Sequence, residues 1–197
     1  MNFWKKLFNK KESKDEKVKS RSPFMPQKEQ SVEILFANNF TKKGGRFLFS
    51  ESESDLIKFF KSILQENKWT LHDVLCLNKG ISNKFKLEFS NNNSINKQKK
   101  VVFIKCEFLI ATTGSFLISS NQIKSLNLVQ LPKNIIVQAN TAQFARDVSE
   151  AMSKLKLKYN KEKPSNITTL TPKSLDNDSN LLYQGSASKN IYLLLQE

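Results

Sequence analysis

Two apolar runs, Phe108-Leu109-Ile110-Ala111 and Phe116-Leu117-Ile118, are separated only by Thr112, Thr113, Gly114 and Ser115. Short apolar runs bounded by glycine and hydroxyl residues read as buried strands that meet at a tight connection. That pairing constrains the fold more than any other stretch, because two interior strands demand a covered sheet. Gly114 permits positive φ and close backbone approach, and the neighbouring hydroxyls donate or accept hydrogen bonds. Two readings of the turn stand side by side. Its backbone N–H groups face a small anion, or it is an ordinary hairpin or bulge whose hydroxyls are internally satisfied.

The segments around it alternate. Val32, Ile34, Leu35 and Phe36 have helical spacing, which the run Lys42-Lys43-Gly44-Gly45 interrupts before a strand at Arg46-Phe47-Leu48-Phe49. Ser52 and Asp55 have the form of a capping box. Behind them Leu56, Ile57, Phe60, Ile63 and Leu64 recur at helical spacing and should face a core. A second strand follows over residues 73–77. Ile81 and Phe85 suggest a short helix running into extended chain, and residues 91–100, rich in Asn and Lys, read as a solvated loop. Strands are expected over residues 101–104, 134–138, 167–170 and 191–195. Thr141 is placed to cap a helix whose Phe144, Val148, Ala151, Met152 and Leu155 repeat every three or four residues. Strand, helix, strand in this order gives an α/β fold.

The chain's 197 residues suffice for one domain with a real core. Hydrophobic residues at 39%, with 15 Phe, exclude a disordered chain. The net charge of +14 directs attention to anionic partners: nucleic acid, acidic lipid or a phosphorylated small molecule. Residues 1–30 hold nine basic and four acidic side chains, so a surplus of five positive charges lies outside the expected domain at 31–197. With no RNA-recognition, zinc or helix-turn-helix signature and with scattered basic residues, nucleic acid is not the expected partner.

Within the first segment, Phe3, Trp4, Leu7 and Phe8 share one side of a short helix ringed by lysines. Such a helix makes weak contact with an anionic membrane surface or docks on a protein. Residues 12–30 have the composition of a flexible linker. No apolar run is long enough to span a membrane, and the start lacks a secretory core; a cytoplasmic protein is expected. Cys76 and Cys106 lie in or beside strand-like runs and read as reduced, buried thiols, with no metal-ligand spacing near them. His72, the single histidine, reads as a surface or capping residue.

Several pieces taken together resemble the LUD-domain family, the lactate-utilisation protein B/C group, with this chain a divergent member. They are Phe40-Thr41-Lys42-Lys43-Gly44-Gly45, the central run from Glu107 to Ser115, Leu128-Val129-Gln130-Leu131-Pro132 before a strand and a long helix, and the ending Gly185-Ser186-Ala187-Ser188-Lys189-Asn190-Ile191-Tyr192. The resemblance implies an open, mostly parallel sheet with helices on both faces, as in CoA transferases, ribose-5-phosphate isomerase and glucosamine-6-phosphate deaminase. It also implies a cytoplasmic protein connected with L-lactate oxidation beside iron–sulfur partner proteins. The chain departs from the family's pattern in three places. Thr112 stands where an acidic residue is usual, Thr171 to Asp178 lacks the glycine-proline-serine and Asp-Ile-Glu pattern, and Ser186-Ala187-Ser188 replaces a His-Gly-Pro run. An unactivated hydroxyl at 112 is a poor substitute for a carboxylate nucleophile or base.

Three functions follow as expectations. The first is an accessory, small-ligand-binding factor in lactate or related organic-acid utilisation. Its site would be Thr112, Thr113, Gly114 and Ser115 at the carboxyl ends of the strands, with Gly44 and Gly45 nearby and Lys43 or Lys173 meeting an anion. The second is an active transferase or isomerase drawing on Glu107 or Asp178. The third is an adaptor tethered to a surface through the N-terminal helix. No cofactor is named by the residues.

Overall fold

The computed structural model describes residues 30–90, 98–160, 162–172 and 189–197. The N-terminal amphipathic helix, Lys173, Asp178 and residues 185–188 lie outside the described residues.

Helix α1 (Val32–Lys42) starts at Ser31, whose hydroxyl accepts from the Ile34 N–H. It ends as it does because Gly44 takes φ +79°. There the Gly45 N–H reaches the Phe40 carbonyl at 3.0 Å and the Gly44 N–H that of Thr41 at 2.8 Å. This paired closure satisfies the helix's last carbonyls and turns the chain directly into a strand. Helix α2 (Glu53–Glu66) is capped by Ser52 as its spacing with Asp55 suggests. Asn78 caps the short α3 (Lys79–Phe85).

Five strands form a parallel sheet: β1 (Arg46–Ser50), β2 (Val74–Cys76), β3 (Val101–Lys105), β6 (Asn134–Asn140) and β9 (Asn190–Gln196), in the order β1-β9-β6-β3-β2. Strands buried on both faces read as continuous apolar runs, as β3, β6 and β9 do. The alternation along each strand sorts the side chains. Val101, Phe103, Ile136, Tyr192 and Leu194 join Leu56, Phe60 and Ile63 of α2 and Ile81 and Phe85 of α3 in one cluster. Val102, Ile104, Ile135, Val137, Ile191, Leu193 and Leu195 face the other way.

That opposite face is covered by α1 together with a second sheet. Its strands are β4 (Phe108–Ile110), β5 (Ser115–Ile118), β7 (Phe144–Ala145) and β8 (Thr168–Leu170), in the order β7-β4-β5-β8. The central sequence stretch is therefore an antiparallel hairpin, with Ile110 opposite Ser115 and Phe108 opposite Leu117. Phe36, Phe40, Phe116 and Phe144 lock α1 to it, with ring centroids 5.4–5.9 Å apart. Burying such a side chain contributes about 1.5–3 kcal/mol, so four of them fix the helix on the hairpin. The second sheet's outer face, with Phe108, Ile110 and Leu117, packs against Ala151 and Leu155 of α5 (Val148–Lys158).

The α/β class and the mostly parallel, helix-flanked sheet agree with the sequence. One local expectation does not. Thr141 opens a separate 3₁₀ turn (Thr141–Gln143) that Asn140 caps, and Phe144 lies in β7. Helix α5 begins only at Val148, where the Asp147 carboxylate accepts from the Glu150 N–H at 2.9 Å. Asp147 is the better cap because its carboxylate meets both the free N–H groups and the positive end of the helix.

Candidate functional site

The turn between β4 and β5 is built by its neighbours. Ala111 and Thr112 donate their N–H groups to the carbonyls of Ala145 and Arg146, extending the β4–β7 ladder. Gly114 then takes φ +58°, which reverses the chain. It also lies so close to α1 that a Cβ there would stand 2.4 Å from the Phe40 nitrogen and 2.5 Å from the Asn39 carbonyl carbon. Helix α1 grips the turn's carbonyl oxygens: Asn39 Nδ2 donates to Ala111 at 2.8 Å and to Thr112 at 3.1 Å, and Lys43 Nζ donates to Thr113 at 2.7 Å. The Thr113 and Ser115 hydroxyls are 2.5 Å apart.

Lys43, next to Gly44 and Gly45 at the end of α1, is thus held against the 112–115 turn; Lys173 lies outside the described residues. The assembly sits where α1 hands over to the first residue of β1, toward the amino end of the parallel sheet. The carboxyl-end crevice expected from general α/β rules is not where this turn is held. Asn39 was not legible as part of it, since a polar residue on a helix carries no mark of a carbonyl 72 positions away.

Electrostatically the turn is a half-buried cation with hydroxyls beside it. Burial pushes the Lys43 ammonium below its ordinary value, and among the described residues no carboxylate forms an ion pair with it. The arrangement can take up a negative charge, but it contains no carboxylate base. Glu107 does not supply one. It lies at the opposite end of β4 and is fully buried. Lys158 reaches Oε2 at 2.7 Å, Gln122 and Ser119 reach Oε1 at 2.9 and 3.0 Å, and the Tyr159 hydroxyl reaches both at 3.1–3.2 Å. Burial alone would push the carboxyl up, but these hydrogen bonds and the Lys158 charge leave it below the usual range. It remains ionised and occupied.

His72 is exposed on a 3₁₀ turn (Leu71–Asp73), its carbonyl accepting from Lys99. Cys76 and Cys106 are buried thiols whose ionisation burial opposes. Among the described residues no group of three or more His, Cys, Asp or Glu could hold a metal, and no helix is long and apolar enough to cross a membrane.

Fold and site together define a class: a two-sheet α/β protein in which a helix end clamps a hydroxyl-bearing glycine turn. The chain belongs to the LUD-domain family, whose model, described as LUD domain, matches residues 34–195. The crystal structure of a DUF162-family protein from Deinococcus radiodurans is similar to it, with a TM-score of 0.62 over 84% of this chain and 96% of that one. At 12% sequence identity this likeness shows the fold. No curated protein matches the chain.

Proposed function

We propose that this LUD-domain protein binds a small organic anion at Lys43 and the 112–115 turn, as an accessory factor in lactate or related organic-acid utilisation in the cytoplasm. The observation that carries this reading is the Lys43 ammonium: partly desolvated and bonded to the neutral Thr113 carbonyl, on a turn whose Thr113 and Ser115 hydroxyls pair with each other. A cation withdrawn from water without a counter-charge is poised to gain from an anion. Family membership supports the organic-acid connection, and by the same resemblance the protein works beside iron–sulfur proteins of lactate oxidation.

The test is calorimetric titration and thermal shift with L-lactate, related hydroxy acids, CoA esters and sugar phosphates at constant ionic strength. A ligand bound only by the folded state raises the melting point, by about 2.7 kcal/mol of stability at a hundred times Kd. Lys43→Met should abolish the shift while circular dichroism stays unchanged. Binding of equal strength in Lys43→Met and wild type refutes the site.

A further inference from the structure

Helix α1 and strand β1 form an apolar flank at one end of the parallel sheet. Among the described residues β1 is the end strand, and α1 packs back along it, since only residues 43–45 join the two. Helix and strand match in length at about 16 Å each, so the first turn of α1 lies beside the carboxyl end of β1. Along this joint Val32 and Leu35 of α1 and Phe47 and Phe49 of β1 rim the core, and each is only half-buried. Ile34 is half-buried too and belongs to none of the three core clusters. The end strand of a sheet is a place that proteins cover.

The charge at this corner is opposite to that of the chain. Glu33 lies in the first turn of α1, Glu51 directly follows β1, and the Glu197 N–H donates to the Ser50 carbonyl at 3.2 Å. Carboxylates thus gather where the chain enters the fold, in a protein whose net charge is +14. The segment that enters here is the basic one. In it Phe3, Trp4, Leu7 and Phe8 have the spacing of one helix side, with Lys5, Lys6, Lys10 and Lys11 around them. Residues 12–30 reach about 25 Å as a random coil, enough to bring those aromatics to any part of the flank. A helix this short is marginal alone, and its hold on a lipid surface is weak. A tether of this kind gives an effective concentration on the order of millimolar, which favours a surface of the same molecule.

We propose that the N-terminal segment is the occupant of this flank. Its Phe3, Trp4, Leu7 and Phe8 pack on the apolar joint of α1 and β1, and the lysines around them meet Glu33, Glu51 and Glu197. The segment is then a strap over the sheet's end strand, held by the molecule it belongs to.

Trp4 and Trp69 are the only tryptophans, so the full chain carrying Trp69→Phe reports on Trp4 alone. Its emission should be blue-shifted and shielded from acrylamide without lipid, and equally so at low and high protein concentration. Glu33→Lys combined with Glu51→Lys should lose that blue shift, as should Val32→Asp, with the circular dichroism of the folded domain retained. Neither glutamate is buried, so the charge reversal remains informative should Val32→Asp fail to fold. Solvent-like Trp4 emission in the parent chain, or a blue shift undiminished in either variant that folds, overturns the strap. So does a blue shift that appears only as protein concentration rises, which assigns the segment to a second copy. One that appears only with vesicles of equal parts phosphatidylglycerol and phosphatidylcholine overturns it in favour of a membrane surface.

Discussion

Gly114 is the residue at which local and tertiary demands coincide. Its φ of +58° costs a residue with a Cβ about 1–3 kcal/mol in backbone strain. A methyl there also meets α1 backbone at 2.4–2.8 Å, and that backbone cannot swing aside as a side-chain end would. Overpacking of this kind adds about 1–3 kcal/mol. Gly114→Ala should therefore lower the urea midpoint by the equivalent of about 2–6 kcal/mol without changing the slope of the transition. A loss below 0.5 kcal/mol, within the usual range for surface substitutions, would contradict the close approach. The turn itself was legible, since glycine among hydroxyls between apolar runs has few other uses. The partner that requires glycine was not, because nothing at Asn39 or Phe40 signals that their backbone meets residue 114. Lys43 was legible as a cation near glycines, but its contact with the Thr113 carbonyl was not.

Among elements, the decisive joint is the one Glu107 makes. It stands before β4, takes hydrogen bonds from Ser119 and Gln122 at the start of the short α4 (Ser120–Ile123), and pairs with Lys158 at the end of α5. One carboxylate thus ties the second sheet to both helices beside it. Removing one partner of a fully buried ion pair costs about 3–5 kcal/mol; Lys158 is 48% exposed, so its removal should cost less, about 2–3 kcal/mol. We expect that loss for Lys158→Met in chemical unfolding, and about 1–3 kcal/mol for Glu107→Gln, which leaves hydrogen-bonding groups mispaired. Because the folded carboxyl lies below its ordinary value of 4.5, its stabilisation is in place above that pH and disappears as acid titrates the folded form. Glu107→Gln should accordingly flatten the acid limb of the stability profile, and an unchanged limb would refute the role. The start of α5 shows why elements are harder to read than turns. Phe144 falls at helical spacing from Val148 and Ala151, but the strand β7 and the helix bury side chains beside the same second sheet, so one periodicity spans two elements.

At the scale of the molecule, the alternation of strands and helices conveys the α/β class but not that the central hairpin leaves the parallel sheet to build a second one. Strand partners are set by nonlocal pairing, which no window of sequence contains. The same architecture gathers desolvated ammonium groups at the amino end of its inter-sheet layer, and this has a consequence for the whole stability curve. Lys43 and Lys189 both lie below their ordinary value of 10.5 in the folded state. Between the folded and unfolded values the unfolded chain binds more protons, so stability rises with pH there. Lys158 acts in the opposite sense: burial works against its charge, but the hydrogen bond and charge of Glu107 raise it, so its contribution holds up to 10.5 and is lost as pH climbs through the folded value. Below 10.5 the first effect should prevail, and unfolding free energy should increase as pH rises toward that value. General relief of the +14 charge also favours this trend, so the comparison needs a control of equal charge. The double variant Lys43→Met with Lys189→Met should lose the alkaline gain, while Lys61→Met with Lys156→Met, two exposed lysines, should retain it. Equal slopes in both doubles would mean that the gain belongs to net charge and not to the two desolvated ammonium groups.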